Sequence, residues 1–288
     1  MIGKAACRGA ATIVNAIATG KGAAFGISLE TDALVELQQG PGEIVLKDSE
    51  EGQGLASGCV RAIASRSSQK DVKGEIRIKS EIPISRGLKS SSAVSNAVTL
   101  ATARALGSSM QDMELILAGI EESVKTGVTI TGAFDDSSAC FLGGVVVTNN
   151  RSFTILSRGT IDPDLDILIH VPERRISKAS VKGLDFSPIR EKVEHALDLA
   201  MKGEYLKAME VNSRAYSKVL DVSEEIAELA RKKGALGAGI SGTGPATVVV
   251  CSRAEVQDIQ KALQREEGEV IRAKVNDLPA REVVPRLL

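Results

Sequence analysis

Hydrophobic and polar positions in the first half of the chain fall into short apolar runs that alternate with longer helical stretches. Glu43-Ile44-Val45-Leu46 and Gly74-Glu75-Ile76-Arg77-Ile78-Lys79 have the length of strands, whereas 91–106 and 111–125 repeat at helical spacing. A mixed α/β lobe is expected there. Between Asn149 and Pro163 the sequence turns polar, and Leu165 to Val171 then opens a new strand that Pro172 ends. The lobe boundary is therefore placed near 150–162, dividing the chain into 1–155 and 156–288.

In the second lobe, 188–202 and 204–219 read as a helical hairpin hinged at Gly203. A helix over 224–233 follows, which Ser223 can cap, with Glu224 and Glu225 favourably placed in its first turn. Ala246 to Cys251 reads as a buried strand, and a helix over 253–265 with a strand near 269–275 completes a β-α-α-α-β-α-β order. That order predicts helices over one face of a mainly antiparallel sheet, giving an α+β protein of two lobes.

Composition narrows the function. The 288 residues are 43% apolar, enough for a sizeable core, and 36 Lys+Arg against 37 Asp+Glu leave a formal net charge of -1. With no basic excess, neither a nucleic-acid backbone nor an anionic membrane is the expected partner, and a small-molecule substrate fits better. The opening MIGKAACRGAATIV lacks an apolar core followed by a cleavage site, and no stretch approaches a membrane span, so a soluble cytoplasmic protein is expected. Cys7, Cys59, Cys140 and Cys251 stand far apart among small or apolar neighbours and read as buried free thiols. His170 and His195 leave little with which to build a metal cage or a Ser-His relay.

Three segments carry candidate chemistry. In Pro83-Ile84-Ser85-Arg86-Gly87-Leu88-Lys89-Ser90-Ser91-Ser92-Ala93 a glycine and three hydroxyls stand directly before an Ala/Val-rich helix. The first amides of a helix have no intrahelical acceptor and its dipole end is positive, so phosphates can occupy such a turn while the serines add donors. A serine-rich cap without a ligand would use one serine, usually Ser90. The spacing is not that of a P-loop. Gly237-Ala238-Gly239-Ile240-Ser241-Gly242-Thr243-Gly244-Pro245 contains a literal G-x-G-x-x-G, but a helix precedes it and a strand follows, the reverse of the dinucleotide fingerprint. Four glycines in eight residues point instead to a tight loop approaching the phosphate site. Thr131-Gly132-Ala133-Phe134-Asp135-Asp136-Ser137-Ser138 sets two adjacent carboxylates in an apolar stretch. One can cap a helix; a carboxylate near bound phosphates can also accept the proton of an attacking hydroxyl or help hold Mg2+.

The turn at 83–93, with its P-x-x-x-G-L-x-S-S-x-A match, and the loop at 237–245 resemble the second and third signature motifs of the galactose, homoserine, mevalonate and phosphomevalonate (GHMP) kinase superfamily. The stretch from Gly203 through Leu220, with Gly234-Ala235-Leu236-Gly237, resembles the superfamily's carboxy-terminal half, so the likeness spans nearly the whole chain. The first motif is only loosely echoed by Arg8-Gly9-Ala10-Ala11-Thr12-Ile13-Val14-Asn15 and Gly20-Lys21, without the usual Pro-Gly. Among the branches, RGLKSSSA, TGAFDDSSA and GISGTGPA are most similar to the archaeal type of shikimate kinase.

The resemblance implies a ribosomal-protein-S5-domain-2-like lobe joined to a ferredoxin-like lobe, with ATP and Mg2+ between them. By it, residues 83–93 with Gly242 and Gly244 would bind ATP, Asp136 (Asp135 its adjacent alternative) would be the base, and Ser91 and Glu122 would hold the metal. Arg8, Asn15, Thr131 and Ser241 would be substrate-binding candidates, with Arg86 a further candidate cation. Lys89 stands where many relatives have a small residue, giving a site more positive than that of the usual sugar or alcohol kinase. The implied reaction is phosphorylation of the 3-hydroxyl of shikimate on the way to chorismate and the aromatic amino acids, by a monomer or homodimer. A kinase of another small alcohol, homoserine or mevalonate, and a catalytically inactive nucleotide sensor are the alternatives.

Overall fold

The computed structural model describes residues 1–47, 49, 51–129, 132–174, 176 and 181–286. Its first sheet is organised by two long antiparallel strands, β1 (Ile2–Val14) and β2 (Lys21–Gln39). The 19-residue length of β2 lets one strand serve three partners. β1 runs along one edge, while β4 (Val72–Ser80) pairs with 31–39 and β5 (Val145–Asn149) with 21–25 on the other. β3 (Ile44–Leu46) joins β4 in parallel, and β6 (Thr154–Gly159) joins β5 antiparallel. Because 154–159 pairs with β5, the first sheet runs past the expected division at 155/156; the polar stretch that suggested the boundary contains an edge strand with one face in solvent.

Four helices pack with this sheet: α1 (Gln53–Ser65), α2 (Ser90–Ala105), α3 (Asp112–Lys125) and α4 (Phe134–Leu142). α2 is the central one. It lies so close to β1 that a Cβ on Gly3 would stand 2.0 Å from the Ala101 carbonyl oxygen. Its buried polar residues are satisfied locally: Thr99 and Thr102 hydroxyls donate to carbonyls of their own helix. Asn96 reaches α4, its amide donating to the Ser137 carbonyl at 2.8 Å and accepting from the Ser137 hydroxyl at 3.0 Å. The helices that carry the phosphate turn and the two aspartates are thereby fixed to each other.

The second sheet is antiparallel in the order β10-β7-β9-β8, with β7 Asp166–Val171, β8 Gly237–Ile240, β9 Thr247–Cys251 and β10 Glu269–Lys274. The helical hairpin is α5 (Arg190–Met201) and α6 (Tyr205–Leu220), followed by α7 (Glu225–Lys232) and α8 (Val256–Leu263). Two features differ from the sequence expectation. Residues 237–240 form a strand rather than loop, so the glycine-rich segment is a hairpin whose turn is 241–246. The sheet is also covered on both faces, not one. Leu168, Val249 and Cys251 pack with α7 and α8, while Ile167, Ile169, Val248 and Val250 join the main core with α5 and α6. Unbroken burial along β7 and β9 is the mark of that two-sided packing. Gly237 and Gly239 let α6 lie against β8, since a Cβ at either would meet Leu206 or Ser213 at 2.9 Å.

After β10 the chain returns to the first lobe. Asn276 exchanges backbone hydrogen bonds with Gly26 and Gly144, and Arg286 pairs with the fully buried Glu30 at 3.0 Å. All four cysteines are free and buried. Among the described residues no helix is long and apolar enough to cross a membrane.

Candidate active site

The turn between β4 and α2 is shaped by three residues with positive φ at alternate positions, Ser85 (58°), Gly87 (85°) and Lys89 (64°). Alternating backbone hand turns successive N–H groups toward one concave side, the geometry of an anion-binding nest. Leu88, fully buried, anchors the turn from below. No side chain caps α2, so none of the three serines serves as a helix cap; the first amides of the helix and the hydroxyls of Ser90, Ser91 and Ser92 face a cleft of 620 Å³ instead. That volume lies within the roughly 300–1,000 Å³ typical of small-molecule sites. The far end of the cleft is aliphatic, lined by Leu46, Leu55, Ile78, Ile82 and Val128.

The hairpin turn 241–246 closes against this structure. A Cβ on Gly87 would stand 2.0 Å from the Ser241 carbonyl oxygen, so glycine is required both by φ and by space. The Ser241 hydroxyl donates to the Gly87 carbonyl at 2.8 Å and accepts from the Thr12 amide at 3.2 Å. The Gly242 amide donates to Thr12 Oγ1 at 2.8 Å, and Asn15 Nδ2 donates to the Gly242 carbonyl at 2.8 Å. α6 supports the same corner: Asn212 Oδ1 accepts from the Asn15 amide, and the buried Tyr216 hydroxyl accepts from the Ala18 amide while donating to the Asn15 carbonyl. The two lobes thus meet in one hydrogen-bonded clasp beside the phosphate turn.

Asp135 and Asp136 lie in the first turn of α4, where the positive helix end favours a carboxylate. Their surroundings separate them. Asp135 is buried; its Oδ1 accepts from Asn150 Nδ2 at 2.7 Å, and Thr148 Oγ1 in turn donates to Asn150 Oδ1 at 2.8 Å. Burial raises the Asp135 pKa, and the neighbouring Asp136 charge raises it further, against the pull of Lys89 and Asn150. Asp136 instead forms an ion pair with Lys89 Nζ at 2.8 Å. One carboxylate is thus held by a buried amide and the other by an ammonium at the cleft, surroundings that suit different roles.

The raised Asp135 pKa has a consequence for stability. The folded protein keeps a proton there that the unfolded chain has already released, so stability is lost as pH rises through the folded pKa. Asp135→Asn removes that loss. The expected result is a thermal midpoint that falls less steeply than wild type between about pH 4 and pH 7; parallel curves for the two proteins would contradict it.

The structure brings Pro83, Ile84, Ser85, Gly87 and Leu88 to the cleft with Lys89, the three serines, Asp135, Asp136, Asn15, Gly242 and Gly244. Other expected site residues lie elsewhere. Ala93 is buried in α2, and Arg86 donates to the Pro172 and Arg174 carbonyls, tying the turn to the segment after β7. Arg8 does not line the cleft: it donates to Asn276 Oδ1 at 2.6 Å and lies 3.6 Å from Glu30. Ser241 holds the clasp with its hydroxyl, and the Asn15 side chain is likewise engaged with Gly242 and the Ile17 amide. Glu122 points toward Gly58 on α1 and pairs with Lys125, away from the cleft. Thr131 lies outside the described residues.

Sequence reasoning missed Asn150, Thr148, Asn96, Thr12, Asn212 and Tyr216 as supports of the site. Asn96 had a legible signal, a large polar residue inside an apolar helix; Asn150 was hidden in the polar stretch read as the lobe boundary.

Residues 54–144 match the family model described as GHMP kinases N terminal domain, and residues 191–270 match GHMP kinases C terminal. A shikimate kinase of Methanosarcina mazei is 39% identical, over 96% of this chain and 94% of that protein. A shikimate kinase of Methanothrix thermoacetophila is also 39% identical, over 98% and 96%. Among solved structures, Lactococcus lactis galactokinase complexed with galactose superposes with a TM-score of 0.76 over 96% of this chain and 94% of that one. At 14% identity the galactokinase likeness shows the fold alone.

Proposed function

The chain belongs to the GHMP kinase family, and we propose that within it this protein transfers the γ-phosphoryl group of ATP to the 3-hydroxyl of shikimate, giving shikimate 3-phosphate and ADP. The observation that carries the kinase reading is the uncapped amino terminus of α2, opening onto a cleft that also holds the Lys89–Asp136 pair. The shikimate kinases at 39% identity over nearly the whole chain support the choice of acceptor.

In this reading the amides and hydroxyls of Ser90, Ser91 and Ser92 cradle the phosphates, the clasp keeps Gly242 and Gly244 against them, and the aliphatic end of the cleft takes the base. Asp136 accepts the proton of the attacking hydroxyl while its oxygen bonds to the γ-phosphorus and the bond to ADP breaks. Mg2+ would neutralise phosphate charge, and Ser91 is the cleft residue suited to it, most other ligands coming from phosphates and water as is usual for this ion. We place the protein in the cytoplasm; its four unpaired, buried thiols suit a reducing compartment.

The test is ADP release from Mg-ATP by the purified protein with shikimate, homoserine, mevalonate or galactose, and identification of the phosphorylated carbon by NMR. Shikimate-dependent turnover yielding the 3-phosphate is expected. Turnover with only another alcohol would overturn the acceptor assignment and leave the phosphate site standing.

A further inference from the structure

We propose that Lys89 is a catalytic residue whose ammonium bridges the Asp136 carboxylate and the γ-phosphoryl oxygens of the nucleotide during transfer. The inference deepens the kinase reading and rests on it.

Lys89 is placed at a cost that an ordinary structural lysine would not bear. It stands immediately before α2 with φ 64°, a left-handed backbone that L side chains adopt reluctantly. It also sets a positive charge at the positive end of the helix dipole. Its side chain is only 7% exposed, so the ammonium is largely out of water. Asp136 offsets part of this, yet an ammonium has three donors and one carboxylate does not fill them. The position of Nζ shows what else it faces: it lies 3.1 Å from where a Gly242 Cβ would be, between the phosphate turn, the base and the second glycine-rich loop. An anion entering the turn would take the donors that Asp136 leaves free.

No other described cation has this position. Among the described residues the only other basic one lining the cleft is Lys47, which is partly exposed and paired with Glu75 at 2.9 Å. Arg86 is held by the Pro172 and Arg174 carbonyls. In the transfer step the acceptor oxygen bonds to phosphorus, the bond from phosphorus to the ADP oxygen breaks, and the hydroxyl proton passes to Asp136. Lys89 supports both ends, neutralising charge on the transferring group and holding the base in place through their ion pair. Asp136 is faced by Lys89 from the turn and by Asp135 on its own helix; the Cys7 and Cys140 thiols behind them are kept protonated by burial.

Lys89→Ala and Lys89→Arg test this with two independent readouts. The first needs no acceptor: calorimetric affinities for Mg-ADP and for the non-hydrolysable, γ-phosphate-bearing Mg-AMP-PNP. Lys89→Ala is expected to bind ADP within about threefold of wild type and AMP-PNP at least about tenfold more weakly, as expected for loss of one charge-assisted contact to the γ-phosphate. The second is turnover on whichever alcohol the wild type accepts. Lys89→Ala should lose about 10²–10³-fold in kcat and recover part of it with added ethylamine; Lys89→Arg should retain more activity. Equal weakening of both nucleotides and no amine rescue would reduce Lys89 to a structural ion-pair partner. If the wild type proves inactive on every alcohol, the kinase reading fails, while the nucleotide comparison still decides whether Lys89 meets the γ-phosphate. If shikimate turns over and the Lys89 readouts fail, only the role given to Lys89 is lost.

Discussion

Gly87→Val is expected to lower turnover by more than about 10³-fold and to weaken ATP binding, because it displaces several transition-state donors at once. At φ 85° a β-branched residue is strongly disfavoured, and any Cβ would stand 2.0 Å from the Ser241 carbonyl oxygen and 3.3 Å from that of Gly244. The turn has to open away from the hairpin loop. Opening it breaks the Ser241 hydroxyl bond to the Gly87 carbonyl and swings the amides that precede α2. The effect should therefore be larger than that of any single serine in the turn. Backbone strain alone can be separated from this contact with Gly203→Val: Gly203 has φ 82° but nothing within 4 Å of its Cβ position. The Gly203 variant should lose stability and keep its kcat; the Gly87 variant should lose kcat even where its thermal midpoint and circular dichroism are close to wild type. Turnover of Gly87→Val within tenfold of wild type would mean that the phosphates are not held by this turn.

The legible parts of this fold are those where local chemistry and tertiary packing agree. α2, α3 and the α5–α6 hairpin follow from helical spacing, and Gly203 between α5 and α6 marks the break as expected. The strand at 237–240 was not legible: Gly-Ala-Gly-Ile has almost no strand propensity of its own. It is a strand because α6 needs glycines to approach and β9 offers a pairing edge, both tertiary facts. The lobe boundary placed near 150–162 missed β6 for a related reason, since an edge strand with one wet face carries many polar residues.

The same division holds in the site. The uncapped helix start at 83–90 was legible as a shape because glycine and hydroxyls lie consecutively before an apolar helix. Side chains offered for the acceptor were not, because spacing cannot tell a residue that faces the cleft from one that braces it. Arg8 is held instead by Asn276 and Glu30, partners that no spacing in the sequence connects to it. Asn15 and Ser241 are beside the cleft, but their polar atoms already hold the two lobes together. The closing of Lys89 onto Asp136 spans 47 positions and could be seen only in three dimensions.

Asp136→Asn is expected to lower kcat by about 10²–10⁴-fold, the usual share of a positioned general base, without raising the KM for ATP. Asparagine keeps the shape of the side chain and an oxygen toward Lys89, so the phosphate turn and the ion-pair pocket should persist. What disappears is the ability to take up the proton, and with it a negative charge close to the bound phosphates. Removing that charge lessens repulsion of the nucleotide, so ATP affinity should hold or improve while chemistry slows, a split that loss of phosphate binding cannot produce. Asp135→Asn supplies the comparison. Asp135 is buried against Asn150 with its pKa raised, and replacing a carboxyl that resists ionisation by an amide should cost less than replacing one paired with an ammonium. A larger kcat loss in Asp135→Asn than in Asp136→Asn would reverse the assignment and make the deeper carboxylate the base. Loss of less than tenfold in both would place this enzyme among kinases that work by positioning and charge alone.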